Sequence, residues 1–343
     1  MIKIEKISKQ IGKFKIKDIS LNIENGDYFV VLGPSGTGKT VLLEIIAGLR
    51  DVDSGEIYFS DELVNDVPPE KRKVGMVYQD YMLFPHLTVK ENILFGIKLK
   101  RIKNYENKYL KLLNDLEISH LVDRSIRNLS GGEKQRISLA RTLIMEPEML
   151  LLDEPLSAVD TSTKNKLQND LKRIHKEFKI TTIHVTHDFN EAIFLADKIA
   201  IVKDGEVIQN GTPEEIFQKP CNDFVAEFIG CKNIFKGKVI EKNIVKISDI
   251  VNFSVVTGKE EDINLMIRSE NIIISLNKFS SSAKNCFQGN IINIEKKLKM
   301  VEIDVDIGIS LSVYVTYSSF ELMKLEKGKS VYLTFKATSV HIY

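Results

Sequence analysis

Residues 33–40 read Gly-Pro-Ser-Gly-Thr-Gly-Lys-Thr and fit the pattern Gly-x4-Gly-Lys-[Ser/Thr]. Glycines in such a run let successive backbone N–H groups turn inward around phosphate oxygens, and a following helix N-terminus adds the positive end of its dipole. Lys39 would place its charge on the transferred phosphate, and Thr40 offers a hydroxyl to Mg²⁺. The predicted nucleotide-binding residues of this loop are Gly33, Pro34, Ser35, Gly36, Thr37, Gly38, Lys39 and Thr40.

Two adjacent carboxylates, Asp153 and Glu154, follow the apolar run Met149–Leu152. The carboxyl end of a strand is where open α/β sheets bind ligands. Asp153 can hold Mg²⁺ through water, and Glu154 can act as general base towards an attacking water. With a phosphate loop upstream, the pair is predicted to be catalytic rather than a solvated turn.

The run Ser130-Gly131-Gly132 precedes a second helical pattern. Ser130 can cap that helix, and the glycines would expose backbone N–H groups at its N-terminus. On the residues alone this is either a plain helix cap or a second anion site.

These residues need an alternating array of strands and helices to hold them. Tyr28–Leu32 and residues 149–153 are short apolar runs typical of buried parallel strands, and residues 180–185 read as a third. Helices are predicted from Lys39 to Gly48, over 161–178, over 213–219 and over 222–229, and a hairpin is predicted around Asp204-Gly205. The pattern predicts an α/β P-loop domain over 1–230, with an inserted helical subdomain at about 85–146.

Residues 231–343 change to short Ile- and Val-rich strands, with one further helix predicted near 318–325. This pattern predicts a small all-β, OB-like barrel domain. Two small β units are expected within it, 231–275 and 281–343.

The composition excludes several classes of protein. The 343 residues carry a formal net charge of +1, which gives no bulk attraction to nucleic acid. Three cysteines, Cys221, Cys231 and Cys286, fit neither a disulfide framework nor a zinc site and favour a reducing, cytoplasmic compartment. No stretch approaches the 18 or more apolar residues of a membrane-spanning helix, so action at a membrane would need a partner.

Further residues, in the same order along the chain, resemble the motifs of ATP-binding cassette ATPases. Leu129–Arg136 is similar to the signature motif of that family, and Gln79, residues 157–160 and His187 match its remaining motifs. The resemblance covers about residues 1–230 and implies Mg²⁺-dependent ATP hydrolysis. It implies that Glu154 is the general base, that His187 senses the γ-phosphate, and that Gln79 touches Mg²⁺ and the attacking water. His175 and His184 have no such match and are interpreted as structural.

Members of that family pair head to tail, with each ATP between the glycine-rich loop of one subunit and the signature of the other. The resemblance therefore implies a homodimer in which Asp160 helps to link the two sites. The signature residues implied to bind the partner's ATP are Ser130, Gly131, Gly132 and Gln135.

The adenine contact departs from the family pattern. The family usually stacks an aromatic side chain on adenine from the loop near residues 10–14, but Ile11 occupies that position here and Phe14 lies nearby. A base–aromatic stack is worth about 1–3 kcal/mol. Either Phe14 supplies the stack, or Ile11 gives only apolar contact and nucleotide selectivity is looser; Phe14 as a plain core residue is a third reading.

The segment Lys73–Val89 resembles importer ATPases for anions, sugars, iron and polyamines, which bind cytoplasmic loops of a separate permease. This implies two integral-membrane permease subunits, an extracytoplasmic substrate-binding protein, and a location at the cytoplasmic face of the cell membrane. The apolar cluster Tyr81–Pro85 is either core or the contact surface for the permease, and its place beside Gln79 favours the surface.

The C-terminal segments 281–289 and 335–341 resemble the opening and the closing strand of a molybdate-binding β-barrel module. A tetrahedral oxyanion needs several hydrogen-bond donors and positive charge. The residues predicted to supply them are Ser282, Lys284, Lys336, Ala337, Thr338 and Ser339. In similar importers the bound oxyanion holds the two ATPase subunits apart, which implies feedback inhibition by molybdate or tungstate.

The leading hypothesis is an ATPase that powers molybdate or tungstate import. The alternatives are the same role for sulfate, a sugar or ferric ion, a soluble cassette ATPase of DNA repair or ribosomes, and a stand-alone oxyanion store or sensor. A single P-loop without heptads or a basic tail disfavours the soluble cassettes. A storage protein would leave residues 1–230 without a role.

Overall fold

The computed structural model describes residues 1–157, 159–258 and 261–343, without the side chains of residues 161 and 162. The chain forms two compact units, Met1–Pro213 and Glu214–Tyr343. The division precedes the boundary predicted at residue 230, because the segment after Pro213 packs with the second unit. There Ala226 joins Cys231 and Met266 in a small apolar cluster.

The first unit contains ten strands and seven helices among the described residues. The strands are β1 (Ile2–Ile11), β2 (Phe14–Ile23), β3 (Tyr28–Leu32), β4 (Ser54–Phe59), β5 (Glu62–Leu63), β6 (Val74–Val77), β7 (Met149–Asp153), β8 (Thr181–Thr186), β9 (Lys198–Lys203) and β10 (Glu206–Gly211). The helices are α1 (Lys39–Ala47), α2 (Val89–Ile93), α3 (Phe95–Lys100), α4 (Glu106–Asp115), α5 (Gly131–Leu143), α6 (Thr161–Phe178) and α7 (Phe189–Leu195).

The central sheet of this unit has the strand order β10-β9-β3-β8-β7-β6. All neighbours are parallel except the β9–β10 hairpin, which turns at Asp204-Gly205. Every residue of β3, β7 and β8 is buried, as is typical of strands inside a parallel sheet that is covered on both faces. The carboxyl ends of these strands therefore lie along one edge of the sheet.

A second sheet, β2-β1-β4-β5, is antiparallel and covers α1. Isoleucines at alternating positions of β1 and β2 face inward, where Ile4 and Ile19 belong to the same apolar core as Leu43 and Ile46 of α1. This core fixes α1, and with it the glycine-rich loop that precedes the helix.

Four helices, α2 to α5, occupy the segment that was predicted to be a helical insertion. Two of them begin at capping boxes, in which a hydroxyl and a glutamate exchange hydrogen bonds with backbone N–H groups: Thr88 with Glu91 in α2, and Ser130 with Glu133 in α5. No helix in the described part of the chain is both long enough and apolar enough to cross a membrane.

The second unit is mainly β-structure. Its strands are β11 (Asn233–Glu241), β12 (Ile244–Lys246), β13 (Asn252–Ser254), β14 (Asp262–Ile267), β15 (Ile273–Ser275), β16 (Asn285–Lys296), β17 (Val301–Asp306), β18 (Ser310–Val315), β19 (Ser330–Phe335) and β20 (Val340–Ile342). Its helices are α8 (Pro213–Gln218), α9 (Asp223–Phe228) and α10 (Tyr317–Leu322).

Two antiparallel sheets, β13-β12-β11-β14-β20 and β18-β17-β16-β19-β15, share one topology. The unit consists of two halves, β11–β15 and β16–β20. The last strand of each half pairs with the sheet of the other half: β15 pairs with β19, and β20 pairs with β14. Both halves open with Asn-x-Phe-x-Gly, at 233–237 and 285–289. The sequence analysis separated two β units but did not identify this repeat, nor the exchange of strands.

Each repeated asparagine ties its half to the other. Asn233 accepts a hydrogen bond from the Ser312 N–H at 2.7 Å and donates to the Ser312 carbonyl at 2.8 Å. Asn285 does the same with the backbone of Ser254, at 2.7 and 2.8 Å. The two sheets enclose one apolar core that includes Phe253 and Phe335.

Candidate functional site

The predicted catalytic residues converge on the carboxyl edge of the central sheet. The glycine-rich loop follows β3, His187 follows β8, and Asp153 is the last residue of β7. Since β8 lies between β3 and β7, these three segments are neighbours. Gln79 stands two residues beyond β6, the next strand along, and its side chain is exposed.

The glycine-rich loop adopts a conformation that depends on its glycines. Gly36 and Gly38 have φ angles of +81° and +89°, in the left-handed region that side chains disfavour. The Thr37 hydroxyl donates to the Pro34 carbonyl at 2.9 Å and tightens the turn. The N-terminus of α1 begins directly at this loop, so its free N–H groups face the space enclosed by the loop.

Lys39 lies inside the loop, and its ammonium group donates to the carbonyls of Gly33 and Pro34 at 2.9 and 2.8 Å. Burial lowers the pKa of Lys39, while the nearby carboxylates of Glu154 and Asp153 act in the opposite direction. A buried ammonium group held only by carbonyls is suited to an incoming phosphate, which offers it a full negative charge.

The ring of Phe14 touches the same loop. A Cβ atom on Gly38 would stand 2.6 Å from the Phe14 Cζ atom, so the glycine is also required by close packing. Ile11 is the strand partner of Phe14 across β1 and β2, and both side chains are half-buried. The two candidates for the adenine contact therefore lie beside the phosphate loop, with the aromatic ring against it.

Thr40 and Asp153 meet across the sheet edge. The Thr40 hydroxyl lies 3.0 and 2.9 Å from the two carboxylate oxygens of Asp153. Burial raises the pKa of Asp153, and the hydrogen bond from Thr40 opposes that rise. A buried carboxylate beside a hydroxyl is an oxygen ligand set that fits Mg²⁺, which would offset the cost of burying the charge.

Glu154 and His187 form the second pair at this edge. The Nδ1 atom of His187 lies 3.1 Å from a carboxylate oxygen of Glu154. The Glu154 backbone has φ of +43°, is held by a hydrogen bond from its N–H to the Val185 carbonyl at 2.9 Å, and accepts one from the Ser157 hydroxyl at 2.9 Å. Strained backbone held in place by its surroundings is typical of functional positions.

The segment after Gln79 is held by helix α5. Arg141 donates to the carbonyls of Tyr81 and Met82 at 3.1 and 2.7 Å, and Ser138 donates to Tyr81 at 3.1 Å. Tyr81 and Met82 both have left-handed backbone conformations. The sequence analysis missed Arg141, because a single arginine inside a helical pattern carries no motif.

The signature residues lie at the start of α5. Ser130 caps the helix, and a Cβ atom on Gly132 would stand 2.8 Å from Thr163 of α6. Among the described residues no hydrogen bond joins Ser130, Gly131 or Gly132 to the sheet-edge cluster of the same chain. Gln135 is fully buried, and no hydrogen-bond partner for its amide is present in the described part of the chain. Its predicted contact with nucleotide would require this side chain to leave the interior.

Residues 157–160 lead from Glu154 into α6. The Asp160 carboxylate accepts a hydrogen bond from the Thr163 N–H at 3.1 Å and so caps that helix. Ala158 lies outside the described residues.

The predicted oxyanion residues come together at one end of the second repeat half. Asn285, the first residue of β16, is the strand partner of Phe335, the last residue of β19. Lys284 and Lys336 therefore flank the same pair of strand ends, and both are exposed. Ser282 precedes this end, and Ala337, Thr338 and Ser339 form a 3₁₀ turn behind Lys336.

The equivalent cations of the first repeat half have acidic or carbonyl partners. Lys232, the counterpart of Lys284, forms an ion pair with the buried Glu302. Arg268, the counterpart of Lys336, donates to the Phe217 carbonyl and lies 3.4 Å from Glu270. Within the described ranges no carboxylate lies within 4 Å of the ammonium group of Lys284 or Lys336. In the described part of the chain, the two cations at this end of the second half thus have no carboxylate partner, whereas their counterparts in the first half do.

Comparison with known proteins agrees with this geometry. The ABC transporter family model matches residues 16–157, and the TOBE domain model matches residues 281–342. The molybdate/tungstate import ATP-binding protein WtpC of Pyrococcus abyssi is 41% identical and that of Pyrococcus horikoshii 42% identical, each over the full length of both chains. An Fe(3+) ions import ATP-binding protein of Fusobacterium nucleatum is 35% identical over all of this chain and 93% of its own.

Solved structures show the same fold for the first unit. A dimeric ATP-binding cassette, MJ0796, bound to ADP and phosphate is 32% identical, with a TM-score of 0.56 over 62% of this chain and 99% of that one. The predicted resemblance and fold class are confirmed. The chain belongs to the ATP-binding proteins of the ABC transporter family.

Proposed function

We propose that this chain is the ATP-hydrolysing subunit of an importer for molybdate or tungstate. The observation that carries the proposal is the meeting of the phosphate loop, the Thr40–Asp153 pair and the Glu154–His187 pair at one sheet edge. Full-length similarity to molybdate/tungstate import ATP-binding proteins supports the substrate class.

Each residue at this edge has a chemical role. Loop N–H groups and Lys39 bind the phosphates and offset the charge that develops on the transferred group. Glu154 accepts a proton from the attacking water, and His187, which contacts Glu154, would donate a hydrogen bond to the γ-phosphate. Thr40, Asp153 and Gln79 would hold Mg²⁺, which would supply positive charge to offset that of the phosphates.

The active form is a homodimer in which Ser130 and the glycines of the signature bind the partner's ATP. Two features of one chain support this. The capping box of the signature helix does not use the N–H groups of Gly131 and Gly132, and no hydrogen bond within the described residues uses them for the chain's own phosphate site, so they and the helix dipole suit an anion. The similar cassette MJ0796 is dimeric with ADP and phosphate bound.

A groove beside Gln79 is the proposed docking site for a cytoplasmic helix of the permease. It has a volume of about 880 Å³ and a mixed lining, whose apolar side chains include Met82, Phe84, Phe95 and Met145. The rings of Phe84 and Phe95 pack 4.4 Å apart, and Met82 is 52% exposed. Arg141 lines the groove and also donates to the carbonyls of Tyr81 and Met82. A helix that docks there and shifts Arg141 would therefore shift the segment that follows Gln79. Two permease subunits and an extracytoplasmic binding protein would complete the system at the cytoplasmic face of the membrane.

The cations Lys284 and Lys336, with Ser282, Thr338, Ser339 and the turn at Ala337, form the proposed regulatory oxyanion site. Occupation of this site lowers ATP hydrolysis only if the ligand prefers the separated state of the dimer. The two ammonium groups, which have no carboxylate within 4 Å among the described residues, support anion binding at this strand end.

Uptake is the direct test of the substrate. The chain is reconstituted with its permease and binding protein in vesicles, and molybdate, tungstate, sulfate, ferric ion and spermidine are offered in turn. ATP-dependent uptake of molybdate or tungstate alone supports the proposal. Uptake of another substrate in their place would overturn the substrate while leaving the ATPase role intact.

The regulatory site is tested by calorimetry on the full-length chain. The double variant Lys284→Gln/Lys336→Gln should lose tungstate binding. The control Lys242→Gln/Lys327→Gln removes the same charge at turns next to the opposite strand ends, after β11 and before β19, and should bind as the wild type does. Equal binding by both double variants would exclude this site.

A further inference from the structure

The segment 186–188, which carries His187, is held on both sides by hydrogen bonds and ion pairs of buried and partly buried side chains. Before it, the Thr186 hydroxyl donates to a carboxylate oxygen of Glu191 at 2.8 Å. After it, the Asp188 carboxylate accepts hydrogen bonds from the N–H groups of Asn190 and Glu191, at 2.7 and 3.3 Å, and so caps α7. The Asp188 N–H also donates to the Thr186 hydroxyl at 3.0 Å.

Lys164 connects this segment to helix α6. Its ammonium group lies 2.7 Å from a carboxylate oxygen of Asp188 and 2.7 Å from one of Glu191. Lys164 stands in the first turn of α6, directly after the Asp160 cap. The Lys164 side chain thus joins α6, which follows residues 157–160, to Asp188 and Glu191, the two residues that hold the His187 segment.

The Glu191 carboxylate in this network is buried, and the side chains of Lys164 and Asp188 are partly buried. Glu191 is 2% exposed, and only 22% of the Lys164 side chain is exposed. On the far side of Glu191 the fully buried His184 lies 3.4 Å away through Nε2, and its Nδ1 lies 2.9 Å from the Tyr28 hydroxyl. Ion pairs in such surroundings hold a fixed geometry, and removing one partner leaves the other charge unpaired.

We propose that Lys164 and Glu191 are positioning residues that hold His187 in reach of Glu154 and transmit the position of α6 to it. The inference rests on the proposed role of His187 in ATP hydrolysis. The two side chains themselves touch neither Glu154 nor the phosphate loop within the described contacts, so they act through the backbone of residues 186–188.

This arrangement predicts a particular kinetic signature. Lys164→Met and Thr186→Val each release one anchor of His187, and a misplacement of about 1 Å in an active site can lower the rate about 100-fold. We expect kcat of the full-length chain to fall about 10- to 100-fold while the KM for ATP is unchanged. Lys164→Arg, which retains the charge and can reach both carboxylates, should restore most of the rate.

A matched control exists at the other end of the same two helices. Lys172 of α6 donates to the Phe194 carbonyl of α7 at 2.7 Å and lies over the Phe194 ring at 4.4 Å. Lys172→Met removes an equivalent link between α6 and α7 away from His187. It should lower the thermal midpoint less than Lys164→Met does, because this link is exposed and leaves no buried charge unpaired, and it should leave kcat at the wild-type value.

A double-mutant cycle with His187→Ala separates the possible outcomes. If Lys164 acts through His187, Lys164→Met has no further effect on kcat in the His187→Ala background. Independent, multiplying effects of the two changes would overturn the positioning role, as would an equal loss of kcat in Lys172→Met. Wild-type kcat in His187→Ala itself would instead overturn the role of His187, on which the inference rests.

Discussion

At the scale of the residue, the candidate site gathers charges at a stability cost. Asp153 and Lys39 are both at most 5% exposed, and burial shifts the pKa of each towards its neutral form. A group whose folded-state pKa is shifted in this direction destabilises the fold at neutral pH. Such a cost is expected where the charges serve a ligand rather than the fold.

Asp153→Asn should therefore raise stability while it abolishes Mg²⁺-dependent hydrolysis. The pKa of Asp153 is raised in the folded chain. Its ionised carboxylate therefore lowers the free energy of unfolding most at pH values well above that pKa. The wild type gains stability as the pH falls through it. We expect the variant without nucleotide to be about 0.5–2 kcal/mol more stable at pH 7. The gain should shrink at low pH.

Urea unfolding at pH 7 and at lower pH measures this difference. The control Asp66→Asn changes an exposed carboxylate and should leave both the urea midpoint and the ATPase rate unchanged. A variant at Asp153 less stable than the wild type at pH 7 would contradict the account of a costly buried charge.

At the scale of the element, α1 must be held at the end opposite the phosphate loop. Arg72 does this with a guanidinium group that is 7% exposed. It donates to the carbonyls of Ile45 and Ile46 in the last turn of α1, each at 3.0 Å, and to those of Val67 and Asn65 at 2.8 and 3.0 Å. The last carbonyls of a helix have no partner within the helix, so this side chain satisfies them.

Arg72→Ala should destabilise the chain by about 2–4 kcal/mol, because several buried carbonyls lose their donors at once. The control Arg50→Ala removes an exposed ion pair with Glu44 on the same helix and should cost at most about 1 kcal/mol. Urea unfolding of the two variants measures both values. Equal losses of unfolding free energy in the two variants would show that Arg72 stabilises α1 no more than an exposed ion pair does.

The sequence predicted the elements around the site well because strong local signals mark them. The strands at 28–32 and 149–153 and the helix at 161–178 have the predicted bounds, and Gly48 ends α1 in a left-handed conformation. What it did not predict depends on contacts distant in sequence. The Lys164 network and the contacts of Arg72 require the packed structure, since neither residue stands out by type or spacing. Gln135 belongs to a recognisable motif, but the motif does not reveal that its side chain is buried.

At the scale of the whole molecule, the proposed chemistry and the proposed regulation belong to separate units of the described chain. Hydrolysis is assigned to the sheet edge of the first unit, and the proposed oxyanion site to the second half of a repeated β unit. Among the described residues Lys284 and Lys336 have no carboxylate within 4 Å, whereas their counterparts Lys232 and Arg268 lie beside Glu302 and Glu270, so the proposal assigns the site to one half of the repeat.

Met82→Glu should uncouple transport from hydrolysis. Met82 is 52% exposed in the proposed permease groove, so a charge there costs little stability but opposes the docking of an apolar helix. We expect the isolated chain to hydrolyse ATP at the wild-type rate and substrate uptake in vesicles to fall at least about tenfold. Leu63→Glu, at a 49% exposed position in β5, should leave both unchanged. Loss of ATPase activity in isolated Met82→Glu would contradict a docking role.

The most direct test of the account is ATP binding and ATP hydrolysis measured side by side on full-length Glu154→Gln. Glutamine retains the size of the side chain but cannot accept the proton of the attacking water. We predict wild-type affinity for ATP and a fall in kcat of at least about 100-fold. The control Glu206→Gln, in a surface ion pair with Lys17, should keep the wild-type rate. Hydrolysis by Glu154→Gln at the wild-type rate would contradict the assignment of the catalytic base at this sheet edge.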